Sequence, residues 1–183
     1  MQPLLVLPVL AFLILLTLFL LVLRRAGRFI AATRDIERFR RQVGDLSGRV
    51  EISLGEICSR VDAVRRGQLG ADELADDLAA SLDAVGRYET EAERLRPPSG
   101  AISIRDAIAA ELARAARALE MIEHGRSIQA SARSGGREIE AQTAIKRGYL
   151  NVLHAREAIA HQAKAAKDLS RTDEANRVQR HNA

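Results

Sequence analysis

Tryptophan is absent, and the four phenylalanines, Phe12, Phe19, Phe29 and Phe39, all lie early in the chain. Beyond Phe39 the only aromatic side chains are Tyr88 and Tyr149. This scarcity excludes a core built on large rings and removes the stacking platform on which proteins hold unpaired nucleic-acid bases. Cys58 is the only cysteine, so no disulfide can form within one chain. That usage suits a reducing compartment, with Cys58 expected as a small, half-buried helix residue rather than a bridge between two copies. Lysine is also rare: Lys146, Lys164 and Lys167 stand against 25 arginines, an Arg- and Ala-rich composition that points to a GC-rich bacterial genome.

What is present begins with one apolar run. From Leu4 to Leu23, seventeen of twenty residues are Leu, Ile, Val or Phe, the exceptions being Pro8, Ala11 and Thr17. At helical rise twenty residues cover about 30 Å, the thickness of a bilayer's hydrocarbon core. A cleaved signal peptide fits less well. Met1-Gln2-Pro3 carries no basic side chain, the apolar stretch is long, and Arg24-Arg25 stand where a small-residue cleavage site belongs. Arg24, Arg25, Arg28 and Arg34 follow the run, so the positive-inside rule places the N-terminus outside and residues 24–183 in the cytoplasm.

After the anchor, Phe29, Ile36, Val43, Val50, Ile57 and Val64 recur at seven-residue spacing, with Ala32, Phe39, Leu46, Leu54 and Val61 interleaved and one register slip near Ser53. Such a seam predicts that the membrane helix continues as an amphipathic stalk over 24–66, and marks those six residues as a candidate self-association surface. Gly67-Gln68-Leu69-Gly70 ends the stalk. Three further helices are expected over 71–96, 103–133 and 137–170, with a flexible tail over 171–183. Leu74, Leu78, Leu82, Val85, Ala92 and Leu95 form the apolar stripe of the first. Pro97-Pro98-Ser99-Gly100 breaks the chain, and Ser103-Ile-Arg-Asp106 fits a capping box opening the second. Ser134-Gly135-Gly136 makes the last turn, and Ile139, Ile145, Tyr149, Val152, Leu153, Ile159 and Ala163 are expected inward on the third. Short connections favour antiparallel neighbours. The fold class is therefore all-α: a transmembrane helix, a stalk, and an antiparallel helical bundle or coiled-coil region.

Charge is uneven. Residues 24–66 hold eleven Arg against six acids, whereas 71–96 hold eight acids against three Arg. The acidic helix between basic neighbours implies complementarity within the chain, which sets packing order more than stability. Arg24, Arg25 and Arg28, nearest the bilayer, are the expected contacts with anionic lipid headgroups. With no aromatic platform and no recognised motif, nucleic acid is not an expected partner.

Catalytic chemistry is hard to find. His154, Glu157 and His161 share one helix face, a spacing that suits a metal bridging two turns. Di-iron bundles need Glu-x-x-His pairs on two helices, and His124 follows Glu120 and Glu123 at other spacings, so a solvated face is the preferred reading. No cofactor, metal or small-molecule substrate is expected, and an enzyme built on a metal-binding bundle is the least favoured class.

A membrane helix, an amphipathic helix, then Arg66-Gly67-Gln68-Leu69 and Asp72-Glu73-Leu74-Ala75 together resemble the HAMP signal-relay module of bacterial receptors over about fifty residues. The connector here is several residues shorter, and no kinase or chemoreceptor signature follows. The resemblance implies a stalk that relays a change of helix packing. Two functions follow as expectations. The first is a non-enzymatic single-pass membrane protein that scaffolds itself or another helical protein at the cytoplasmic face. The second is a membrane signal relay with a switching stalk, Gly44, Gly48 and Gly55 softening it.

Overall fold

The computed structural model describes residues 6–98, 100–131 and 136–181, with side chains described at 12, 13, 15–21, 24, 33–98, 100–131 and 136–169. Within them the chain is helical throughout: α1 (Val6–Arg65), a short 3-10 turn (Ala71–Leu74), α2 (Ala75–Arg94), α3 (Ile102–Ser131) and α4 (Glu138–His181). Among the described residues there is no strand, and no helix is long and apolar enough to cross a membrane. The run Leu4–Leu23 begins outside the described residues, and several of its side chains lie outside them as well.

The helices form a ring. α1 packs on α2, α2 on α3, α3 on α4 and α4 back on α1, while the backbones of the diagonal pairs stay apart. This is the up-down-up-down order of a four-helix bundle, with the second half of α1 as its fourth member. Its core runs from Phe39, Val43, Leu46, Val50, Leu54, Ile57 and Val61 on α1 to Leu78 and Val85 on α2. Ile108, Leu112, Leu119 and Ile122 on α3 join Ile145, Val152 and Ile159 on α4 to complete it.

Local chemistry explains the corners. α1 stops in a Schellman motif: the Gln68 N–H donates to the Ala63 carbonyl at 2.9 Å and the Gly67 N–H to that of Val64 at 3.0 Å. Gly67 takes φ +70°, which a Cβ disfavours. The Gly70 N–H then donates to Glu73 Oε1 at 3.1 Å, tying the 3-10 turn to its own start. α2 ends as Leu95 turns extended (φ −57°, ψ 137°) ahead of Pro97, whose ring keeps the preceding residue out of helical space.

Four boundaries and faces differ from the sequence expectations. α3 starts at Ile102, before Ser103. The Ala101 N–H is held by the Pro98 carbonyl at 2.8 Å, and the Ala101 carbonyl receives the N–H groups of Ile104 and Arg105. Ser103 is therefore an exposed residue of the first turn, and Asp106 accepts from the Arg105 guanidinium instead of capping. Ile139 is 81% exposed. The inward line of α4 is Ala141, Ile145, Val152, Ala155 and Ile159, and two residues at 100° each carry Ile139 to the far side from Ala141. α4 also continues as helix to His181 rather than ending at Ser170. The Arg133 to Gly135 part of the last turn lies outside the described residues.

α3 and α4 share the largest interface of the four, because their backbones come close. A Cβ placed on Gly148 would stand 2.5 Å from Ile122 Cγ1 and 2.7 Å from the Ala118 carbonyl. One on Gly125 would stand 2.8 Å from the Ala141 carbonyl and 2.8 Å from Ile145 Cγ1. Each glycine is filled by the other helix's isoleucine. Alanines 115, 118, 141 and 155, all buried, continue the close approach on both sides.

Candidate functional site

Three features of α1 carry the functional question: its apolar first part, the arginines that follow, and the seven-residue seam. In the first part, Phe12, Leu13, Leu15, Leu16, Leu18, Phe19, Leu20 and Leu21 are between 41% and 66% exposed. At 100° per residue these positions surround the helix rather than lining one stripe. No element of the bundle covers them. A helix apolar on all sides is found where something apolar surrounds it.

The arginines come next. All of the positive excess of residues 24–66 sits in 24–41, where seven Arg face Asp35 and Glu37; residues 42–66 hold four Arg and four acids. The structure shows why these two groups differ. Arg49 pairs with Glu91 and Arg60 with Asp77, both on α2, while Arg65 and Arg66 pair with Asp62. The Arg49 guanidinium also lies over Tyr88, and that of Arg65 over Tyr149 at 4.7 Å. Nearer the apolar segment, Arg24, Arg34 and Arg38 are exposed and make no ion pair among the described residues. The side chains of Arg25 and Arg28 lie outside the described residues.

The seam is buried within one chain. Val43 and Val50 are 0% exposed and Ile57 2%, covered by the chain's own helices. Ile36 is half-buried, Val64 packs at the edge of the core, and the Phe29 side chain lies outside the described residues. The middle of the surface expected to join two chains thus forms the core of one. The acidic segment sits between basic neighbours as its charge suggests: besides the two α1–α2 pairs, Arg126 on α3 reaches Asp72 at 3.7 Å. Across the other side Arg156 on α4 reaches Glu51 at 3.4 Å.

The candidates for chemistry are dispersed. His154, Glu157 and His161 share the outward face of α4, and all three are exposed. Among the described residues no three His, Cys, Asp or Glu side chains are placed to hold a metal ion. Cys58 is buried, and desolvation pushes its thiol up to about 11, only partly offset by the Arg156 charge. It is a protonated core residue at neutral pH and a poor nucleophile. An open hollow of about 540 Å³ on α2 is lined by Asp83, Gly86, Arg87, Thr90, Glu91 and Arg94, and two smaller ones lie between helices. One of about 260 Å³ lies at the far end between Val64, Arg65, Gln129, Gln142, Ile145 and Lys146. Another of about 180 Å³ lies between α1 and α2, lined by Ser53, Ile57, Arg60, Asp77 and Ser81 among others. Neither brings together a nucleophile, a base and a positioned partner.

Sequence reading missed the glycine pair Gly125 and Gly148. The signal was there: each falls three residues after an apolar seam position, Ile122 and Ile145, where a side chain would otherwise point inward. No protein-family model, curated protein or solved structure matches the chain.

Proposed function

We propose that this is a single-pass membrane-anchored helical protein that acts as a scaffold or protein-interaction module at the cytoplasmic membrane face. The observation that carries the reading is the sleeve of exposed Phe and Leu side chains around α1 from Phe12 to Leu21. Each Leu, Ile, Val or Phe gains about 0.3–0.6 kcal/mol at the centre of a membrane helix, and the run from Leu4 to Leu23 holds seventeen of them. Water around the same surface would oppose that exposure at every residue. Arg24, Arg25 and Arg28 then stand at headgroup height, where a basic residue gains about 1 kcal/mol against an anionic leaflet. Their position on the C-terminal side of the span puts the bundle in the cytoplasm.

The bundle's part is that of a surface rather than a reaction centre. Confinement to the membrane raises its effective concentration toward any partner anchored in the same plane. The partners on this reading are membrane lipids and helical protein surfaces, either another copy or a different protein. Among the described residues no arrangement favours nucleic acid or a small-molecule substrate.

A second reading, a membrane signal relay, is favoured by one observation: α1 is unbroken from Val6 to Arg65. Movement of the anchoring segment would pass directly into the bundle core at Phe39 and Val43, with no linker to absorb it.

The test uses the full chain with Cys58→Ala and Gln68→Cys, expressed in a bacterium. The expected result is retention in membranes through an alkaline carbonate wash, with the thiol introduced at position 68 reached by an impermeant maleimide only after the cells are opened. Release by carbonate would sink the anchor. Labelling in intact cells would sink the orientation.

A further inference from the structure

The far end of the bundle holds the hollow between Val64 and Arg65 of α1, Gln129 of α3, and Gln142, Ile145 and Lys146 of α4. It lies beside the last turn of α1, the last turn of α3 and the second and third turns of α4. Its floor is apolar: Ile145 is 3% exposed, and Val64 packs at the core's edge. The floor is also rigid, because Ile145 is seated on Gly125 of α3, where a Cβ would stand 2.8 Å from its Cγ1.

The rim is polar and cationic. Arg65, Gln129, Gln142 and Lys146 are all exposed, and no carboxylate lines the hollow. That sets it apart from the other two. Asp83 and Glu91 line the one on α2, and Glu56 and Asp77 line the one between α1 and α2. There the positive charge is answered from within, Arg87 meeting Asp83 and Arg60 meeting Asp77. At the far end the acids next to the rim are already engaged. Asp62 lies between Arg65 at 3.2 Å and Arg66 at 3.0 Å, one negative charge against two positive. Glu138 accepts the Gln142 Nε2–H at 3.1 Å. The Lys146 ammonium makes no ion pair, and Gln129 no side-chain hydrogen bond, among the described residues. Arg65, Arg66 and Lys146 against Asp62 and Glu138 leave one positive charge over.

Each group selects a different part of a ligand. The Arg65 guanidinium is held over the Tyr149 ring and against Asp62 through one nitrogen, which leaves its other N–H groups available. With Lys146 it suits a carboxylate, bound by charge-assisted hydrogen bonds. The Gln142 carbonyl oxygen accepts an N–H, its nitrogen being on Glu138, and the Gln129 amide both donates and accepts. Val64 and Ile145 take an apolar side chain. The last residue of a polypeptide presents all of these together: a terminal carboxylate, an amide N–H and a side chain. A volume of about 260 Å³ falls below the about 300–1,000 Å³ of pockets that enclose a whole small ligand, and suits one end residue.

We infer that this hollow captures the C-terminal residue of a partner polypeptide, one with an apolar side chain and a free carboxylate. The inference deepens the interaction-module reading and rests on it. With α1 anchored, Arg65 stands about 60 Å beyond the apolar run at helical rise. That height is out of reach of the anionic groups of lipids, whose headgroup layer is only several Å deep.

The experiment titrates the full chain, solubilised in an uncharged detergent, into peptides carrying an uncharged N-terminal dye, followed by anisotropy. The probes are Gly-Ser-Gly-Ser-Val with a free carboxylate, its C-terminal amide, and Gly-Ser-Asp-Ser-Val amide, which moves the negative charge to a side chain. The expected result is saturable binding of the first, and binding weaker by about tenfold or more for the other two. Lys146→Glu should lose binding to the same extent and Gln129→Ala several-fold. Both should keep the urea midpoint of the wild-type chain, because these side chains are exposed. Absence of saturable binding by the free-acid peptide overturns the inference. So does equal binding of either amide, or wild-type affinity in Lys146→Glu. A parallel sample in phosphatidylcholine vesicles is washed with alkaline carbonate. Protein lost there overturns the anchor, while the peptides, titrated in detergent, decide the hollow by themselves.

Discussion

The two sides of the bundle are held by different means. α3 and α4 meet through alanine, isoleucine and two glycines, with Ile122 seated on Gly148 and Ile145 on Gly125. α1 and α2 share the smallest interface among the four helices. Leucines meet there too, but Arg49–Glu91 and Arg60–Asp77 span it from outside and a polar hollow remains between Ser53 and Ser81. The first interface is specified by shape, which tolerates almost no added atom. The second is specified by charge, which fixes register at little gain in stability. A bundle built this way has one rigid pair of helices and one pair that separates at lower cost.

Substitutions at the close-packed side should weigh most. Ile122→Ala empties the seat on Gly148 and is expected to destabilise the bundle by about 2–5 kcal/mol in urea unfolding of the detergent-solubilised chain. Gly148→Ala adds one carbon at 2.5 Å from Ile122 and 2.7 Å from a carbonyl. It should cost about 1–3 kcal/mol although alanine is the better helix former. Gly48→Ala provides the contrast. A Cβ there meets nothing within 4 Å, so helix propensity acts alone and the variant should gain about 1 kcal/mol. If Gly148→Ala stabilised as Gly48→Ala does, the close approach of α3 and α4 would be refuted. On the charge-paired side, Arg49→Ala should cost no more than about 1 kcal/mol, and less as salt is added.

The smallest effect at neutral pH belongs to Cys58. Its thiol titrates at about 11 in the fold against an ordinary value of 9.0, so the folded chain holds that proton more tightly than the unfolded one. The contribution is complete below pH 9 and is lost as pH rises toward 11. Stability of the wild-type chain should therefore fall, relative to Cys58→Ala, only across that alkaline window. A constant difference between the two at all pH values would show that the thiol is not buried.

Much of this was legible in the residues. The breaks at Gly67 and Pro97, and the α2 stripe from Leu74 to Leu95, follow from periodicity and turn chemistry that act locally. The partner of the stalk was not legible. Val43, Val50 and Ile57 repeat every seven residues, and that spacing suits a seam between two chains as well as the core of one bundle. Only the antiparallel return of α2 and α4 decides between them, and a charge placed at Val50 now tests the folding of one chain. Ile139 reads as inward when apolarity is weighed without phase. Ser103 reads as a cap because the Pro98 turn, which ends at Ala101 and starts the helix at Ile102, leaves no mark in the local spacing.

The continuity of α1 has a mechanical consequence. From Leu23 to Arg65 the helix extends about 63 Å beyond the apolar run, at 1.5 Å per residue. Bilayers of unequal thickness tilt a spanning helix by different amounts, since a longer apolar segment leans to fit a thinner core. Were α1 to span a bilayer as proposed, a lean of about 10° would carry the far end of the bundle, with the Gly67 turn and Arg65, sideways by about 11 Å at that arm length. Local membrane thickness would then govern the spacing between the tips of neighbouring bundles, with no ligand involved.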